Sequence, residues 1–388
     1  MPRKSLEVVV EPRVLIWARE SIGMNIEEVA KRLNTSEDTV SKWESGQKKP
    51  TLIQLEKLAR TIYKRPLAAF FLSEPPKEPP LPKDFRTLPL DKRKPLSPET
   101  RLAIRRARRL QSLASELAAS LARKIVPQIG RASLSDNPEV VASSVRTQLG
   151  VEIQTQFDWK KETEALDEWK KAIEKSGILV FQIGIPLEET RGFSLTESEF
   201  PAIVLNLRDA INGRIFSLLH EYGHFLLNDS GICDMGDQDY LSDEAKSIEE
   251  FCNHFAGAIL VPRDALLNHE LIKSSRYQLQ WSDEILKELA KSFKVSREVI
   301  LRRLVILGLA DKGFYISKRE EWEATKYPRK GGRRNPPEEC IRKNGTPFVS
   351  LVLESHRKDK ITYRDVADYL AVRLKYLPKV EQLIGGKI

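Results

Sequence analysis

The chain has 388 residues, 41% hydrophobic and 31% charged, a composition for roughly two to four charge-rich globular domains. No apolar run approaches the ~18 residues a membrane-spanning helix needs, and the opening MPRKSLEVVVEPR has no apolar signal core, so the expected location is the cytoplasm. Three scattered cysteines (Cys233, Cys252, Cys340) with no CxxC pair argue against a disulfide framework or a cysteine zinc site, and a net charge of +9 permits nucleic-acid binding without demanding it.

Residues 12–72 read as short helices joined by tight turns. Arg13–Ser21 is the first; Asn25 caps a second, Ile26–Leu33; Asn34, Thr35 and Ser36 make a polar turn; Glu37–Glu44 is the third, stopped by Gly46. Pro50 and Thr51 open a fourth, Leu52–Tyr63, with Leu52, Leu55, Leu58, Ala59 and Ile62 facing inward. Two short helices joined by a tight turn can offer the second to a major groove. The segment EEVAKRLNTSEDTVSKWESGQKKPTLIQLEKLA resembles the XRE family of helix-turn-helix domains. That resemblance implies that Ser36, Thr39, Ser41 and Lys42 face base edges or phosphates, while Gln47, Lys48 and Lys49 meet the DNA backbone. Glu37 and Asp38 would repel phosphate but suit the helix dipole, and a head that binds a protein partner is the alternative. The helix-turn-helix domain is assigned to residues 1–73.

A proline-rich linker follows over 74–97 (EPPKEPPLPKDF, then KRKPLSP), and 98–160 read as a basic helical connector. Its long helix carries a leucine stripe and the arginines Arg101, Arg105, Arg106, Arg108 and Arg109, either a phosphate-contacting arm or the solvated face of a packed helix. Pro138–Leu149 adds a short helix.

Glu162–Ser176 is amphipathic and ends at Gly177, after which ILVFQIG, GFSL and AIVLN read as short strands. AIVLN is a candidate edge strand for pairing with an extended peptide, or else an ordinary core strand. Next comes IFSLLHEYGHFLLND, an apolar helix carrying HExxH as His220, Glu221 and His224. Four-residue spacing puts both imidazoles on one face, pre-aimed at a metal, with Glu221 beside the position of an activated water. Asn228–Asp243, rich in acids and glycine, reads as a mobile loop over the cleft. A third ligand is expected from SIEEFCNHFAGAILVP. Glu249 could ligate while Asn253, one turn on, orients an imidazole; Glu250 and His254 have the same spacing, so spacing alone does not choose.

The stretch from Gly177 to Pro262 resembles the ImmA/IrrE family of zinc metallopeptidases, through GILVF, RGFSL, AIVLN, FSLLHEYGHFLL and ExxCNxFAGAILVP in the family's order. The resemblance implies His220, His224 and Glu249 as ligands of one zinc ion per chain and Glu221 as general base. Gly257 and Val261 depart from the usual family pattern, and neither belongs to the implied chemistry. The peptidase domain is assigned to 161–322.

DEILKELAKSFKVSREVILRRLVILGL (Asp283–Leu309) has a second helix-turn-helix pattern, but its apolar content fits a packed support for the peptidase. KYPRKGGRR (Lys326–Arg334) reads as a basic linker. Residues 323–388 are expected to recognise a partner or support the domain, with an apolar FVSLVL and a helix-compatible stretch Tyr363–Tyr376 that Pro378 should end. His269 and His356 lie outside any ligand spacing.

The expected fold is mainly α with a small β-sheet (α+β). The expected function is a zinc-dependent endopeptidase with a DNA-binding head; family resemblance implies a helix-turn-helix repressor as its protein substrate, in a stress-response or mobile-element switch. The alternative is a non-proteolytic XRE-type regulator, whose zincin-like domain senses a ligand or binds a partner and whose head binds DNA through residues 12–72 as a homodimer.

Overall fold

The computed structural model describes residues 6–84, 95–196, 198–228, 231–233, 243–274, 279–324 and 335–385. Most of the acidic loop Asn228–Asp243, the basic linker Lys326–Arg334 and residues 85–94 of the proline-rich linker lie outside them. The chain divides into two compact units: Met1–Leu81 with Lys92–Arg106, and Pro82–Asp91 with Ala107–Ile388.

In the first unit the helices Pro12–Ser21, Ile26–Leu33 and Glu37–Glu44 follow their sequence signals. The Asn25 side chain accepts from the Glu28 N–H while the Glu28 carboxylate accepts from the Asn25 N–H, satisfying two backbone donors that the helix start leaves over. Asn34 ends that helix at φ 58°, a left-handed conformation that short polar side chains tolerate. Ser36 then caps the third helix through the Thr39 N–H. Val14, Leu15, Val29, Val40 and Trp43 close over Leu55, Leu58 and Ile62 in a single core. Arg19 grips Glu44 with two hydrogen bonds, 2.8 and 2.9 Å, tying the first helix to the end of the third.

The fourth helix departs from the expected uniform run. It is α-helical over Leu52–Lys57 and widens into a π turn over Leu58–Ile62, where the Tyr63 N–H reaches the Leu58 carbonyl. Arg105 takes the carbonyls of Tyr63 and Lys64 at 2.7 and 2.8 Å. Arg101 likewise donates to the Leu96 carbonyl at 3.2 Å and to the Glu20 carbonyl at 3.4 Å. These two arginines of the basic stretch are thus committed to helix ends and turns, where cations complement unpaired carbonyls.

In the second unit, Glu162–Lys175 leads through Gly177, at φ 90°, into a five-stranded sheet. Its strands are β1 (Lys83–Asp84), β2 (Leu179–Ile183), β3 (Gly192–Leu195), β4 (Ala202–Asn206) and β5 (Gly231–Cys233), ordered β1-β5-β3-β4-β2. β2 and β4 are parallel, β3 is antiparallel to both β4 and β5, and β1 runs parallel to β5. AIVLN is therefore an interior strand, paired on both sides, and cannot be the peptide-binding edge. Every one of its residues is buried, which an unbroken apolar run favours over an alternating one.

Asp283–Phe293 and Arg297–Ile306, capped by Ser282 and Ser296, send Leu286, Leu289, Phe293, Ile300 and Leu304 into the core that also holds the HExxH helix. The C-terminal residues pack on the same unit. FVSLVL lies in the helix Thr346–Arg357, and the Phe348 ring meets Phe181 of β2 edge-on at 5.8 Å. The Arg342 carbonyl accepts from Lys170 and Gln182, each at 3.1 Å. Pro378 does not end a helix over Tyr363–Tyr376; that helix stops at Tyr369, and Pro378 sits in the first turn of Leu377–Gly385, where a missing N–H costs nothing. Among the described residues no helix is long and apolar enough to cross a membrane.

Candidate active site

The helix Ile211–Leu226 is buried continuously from Arg214 to Leu226. Its close neighbour is the helix Asp243–Leu260, which carries Glu249. Gly223, the second spacer of HExxH, sets their separation: a Cβ there would lie 3.1 Å from the Cys252 sulfur and 3.3 Å from its Cα. A side chain at 223 would therefore push the two helices apart.

This approach brings His220, His224 and Glu249 together, the one such group of potential metal ligands among the described residues. The two Nε2 atoms are 3.3 Å apart, His220 Nε2 is 3.4 Å from Glu249 Oε2, and His224 Nε2 is 3.3 Å from Glu249 Oε1. A tetrahedral site with bonds of about 2.0–2.1 Å has edges of about 3.3–3.4 Å, so the three donors are spaced as one face of such a site. All three side chains are buried, and neither Glu249 oxygen has a hydrogen-bond donor of normal geometry. Buried acceptors left in that state are costly unless something else meets them, and a cation does so.

Electrostatics agree. Burial works against ionisation of Glu249, but the imidazoles of His220 and His224 outweigh it and hold its carboxyl far below the usual range. Glu221 is shifted the other way: burial raises its pKa, opposed by His224, His220 and the hydroxyl of Ser194, with Glu249 adding to the rise. A carboxyl with elevated proton affinity is suited to taking and returning a proton. β3 supports it from the sheet side, since a Cβ on Gly192 would stand 3.5 Å from Glu221 Oε1. Phe216, one turn before His220, stacks on its ring at 6.3 Å and 27°.

The rival pair separates. Glu250 is exposed, and His254 turns away to the Glu139 carboxylate at 2.8 Å. Glu139 is also held by both terminal nitrogens of Arg303, whose Nε donates to the Val261 carbonyl at 3.0 Å. The unusual Gly257 has its explanation here, because a Cβ would come within 3.1 Å of the Arg303 chain. Asn253 does not reach an imidazole: its buried amide oxygen has no hydrogen-bond partner. Cys252 takes the place beside His224, which partly offsets the upward push of burial on its thiol. Helical spacing could have found this neighbour, since Cys252 lies three residues after Glu249. Ser194 carried no such signal, because its approach to Glu221 depends on strand pairing. His269 and His356 stay apart, meeting Ser292 Oγ at 3.3 Å and the Ile361 carbonyl at 3.1 Å.

In the first unit Ser41, Gln47, Lys48 and Lys49 are exposed on or just beyond the third helix. Ser36 and Thr39 spend hydrogen bonds on each other, at 2.9 Å between hydroxyls, and Lys42 pairs with Asp38 at 2.6 Å.

Comparison with known families agrees with this division. Residues 173–305 match a peptidase family model described as the IrrE N-terminal-like domain, and residues 15–62 match a helix-turn-helix model. The chain thus carries an XRE-type helix-turn-helix head joined to an ImmA/IrrE domain of metallopeptidase type. No curated protein matches it.

Proposed function

We propose that the protein is a cytoplasmic zinc-dependent endopeptidase with a DNA-binding head, and that its substrate is a helix-turn-helix repressor. The convergence of His220, His224 and Glu249 beside Glu221, inside the peptidase-matched region, is the observation that carries the reading. His220, His224 and Glu249 would hold zinc, a borderline-soft ion suited to two neutral imidazoles and a carboxylate. When bound, zinc supplies the positive charge that polarises a peptide carbonyl and makes water acidic.

The chain's own groups do the rest. Glu221 takes the proton from the attacking water and delivers it to the departing amine, a transfer that its raised proton affinity favours. Gly192, with no side chain, lets that carboxylate lie close against the sheet. The head would use Ser41, Gln47, Lys48 and Lys49 as its free contacts to DNA, with Ser36, Thr39 and Lys42 placing the helix. Zinc-loaded wild type should cleave a repressor substrate, whereas Glu221→Gln should bind about one zinc per chain and cut nothing. Cleavage by that variant would overturn the mechanism, and an inert wild type with full zinc would favour the regulator reading.

A further inference from the structure

A cavity of about 700 Å³ opens at the N-terminal end of the HExxH helix. Phe216 lines it and, one turn before His220, stacks on that imidazole, so cavity and metal centre share one ring as a wall. Arg191 lines it as well and directly precedes Gly192, the residue against Glu221. Its apolar walls are Phe216 of the HExxH helix, Ala290 of Asp283–Phe293, Val295 in the turn that follows and Val299 of Arg297–Ile306. Cavities of roughly 300–1,000 Å³ are the size that holds small ligands. This one therefore has room for a large side chain together with the backbone on either side of it.

The charged groups around it are engaged within the chain. Arg191 donates to Asp209 at 2.8 Å, Arg297 to Asp283 at 2.6 Å and Arg302 to Glu298 at 3.4 Å. Lys291 lies 3.8 Å from Glu288, and Arg319 is not free either. Lys287 and Glu162 complete the charged lining, one of each sign. The positive end of the HExxH helix is met from within the chain too: the Asp209 carboxylate accepts from the Ala210 N–H at 2.7 Å, and a Cβ on Gly213 would collide with it. The lining therefore favours neither sign. A charged side chain entering here would give up hydration without a surplus of opposite charge to replace it, whereas an apolar one gains from burial.

We propose that this cavity is a specificity subsite for a large uncharged apolar residue of a peptide substrate, of the leucine or phenylalanine class, close to the bond that is cut. This rests on the peptidase reading of the adjoining centre. The side chain lies against Phe216, Ala290 and Val299, and acidic and basic residues are turned away alike because the charges around the cavity already answer one another. Val299, in the first turn of its helix, is the wall at which the capacity can be changed without touching His220, His224, Glu249 or Glu221.

The test uses four fluorescent peptides of equal length and uncharged flanks that differ at one central position, occupied by phenylalanine, glycine, glutamate or lysine. Binding is followed by anisotropy with zinc-loaded Glu221→Gln, and cleavage with the zinc-loaded full chain. The phenylalanine peptide should bind roughly tenfold more tightly than the other three. Adding Val299→Trp fills the cavity and should erase that preference, with zinc content and thermal unfolding verifying the fold. Adding Val299→Ala instead enlarges the cavity and should move the preference from phenylalanine to a tryptophan peptide. Equal binding of the four peptides, binding of none, a preference for either charge, or an apolar preference unchanged by both substitutions would overturn the subsite; cleavage that continues without preference would then leave the peptidase reading standing. Apolar-selective binding that Val299→Trp abolishes, with no cleavage of any peptide, would uphold the subsite and count against the peptidase reading.

Discussion

Glu139 illustrates how much of the site rests on residues that never touch its chemistry. Burial resists its ionisation, but His254 and Arg303 prevail and bring its pKa down to about 2 from an ordinary 4.5. A carboxyl whose folded pKa is depressed contributes stability above its unfolded pKa and loses it as pH falls through the folded value. Stabilisation from Glu139 should therefore be complete above about pH 4.5 and disappear towards pH 2. Glu139→Gln leaves the wholly buried Arg303 without its counter-charge, which should cost about 2–4 kcal/mol at pH 7 and flatten the acid limb between those values. Urea denaturation of both proteins across that range is the check; parallel pH profiles would remove Glu139 from the scaffold. At the same scale, Glu249→Ala should abolish zinc retention, measured by metal analysis after dialysis, because two imidazoles alone leave the site one ligand short.

At the scale of elements, the distance between the HExxH helix and the helix bearing Glu249 is the controlling dimension. Gly223→Ala should force Cys252 aside, lower stability by about 1–3 kcal/mol and weaken zinc binding, because Glu249 moves with its helix. Gly223→Ala combined with Cys252→Ala should recover part of both losses, and the absence of any recovery in thermal unfolding would show that the contact is not limiting. HExxH and its apolar flanks were legible in sequence because helical periodicity is local, whereas Glu249 was singled out by the family resemblance, since Glu250 and His254 share its spacing. What was not legible came from pairing between distant segments. AIVLN has the composition of any strand, and only its two neighbours make it interior. Asn253 was expected to serve an imidazole on the strength of helical spacing, yet its neighbour Cys252 occupies that side of the helix. Pro378 reads equally as a stop or a start, and the break after Tyr369 decides for the start.

For the whole molecule, the sequence announced both a helix-turn-helix head and a peptidase-like domain, since each has compact local signatures. It did not announce that Arg101 and Arg105 would be used up on backbone carbonyls, because those partners lie far along the chain. DNA binding by the head should accordingly depend on Lys48 and Lys49 rather than on these arginines. Lys48→Ala and Lys49→Ala should each reduce the slope of log affinity against log salt by about 1, measured by fluorescence titration. An unchanged slope would remove the lysines from the interface.

The most direct measurement compares protein termini in source-cell lysate after incubation with zinc-loaded wild type and with zinc-loaded Glu221→Gln. New termini on a helix-turn-helix repressor, present with the wild type and missing with the variant, are the predicted result. Identical termini from the two proteins, with zinc bound to both, would contradict the assignment of His220, Glu221, His224 and Glu249 as a peptidase centre.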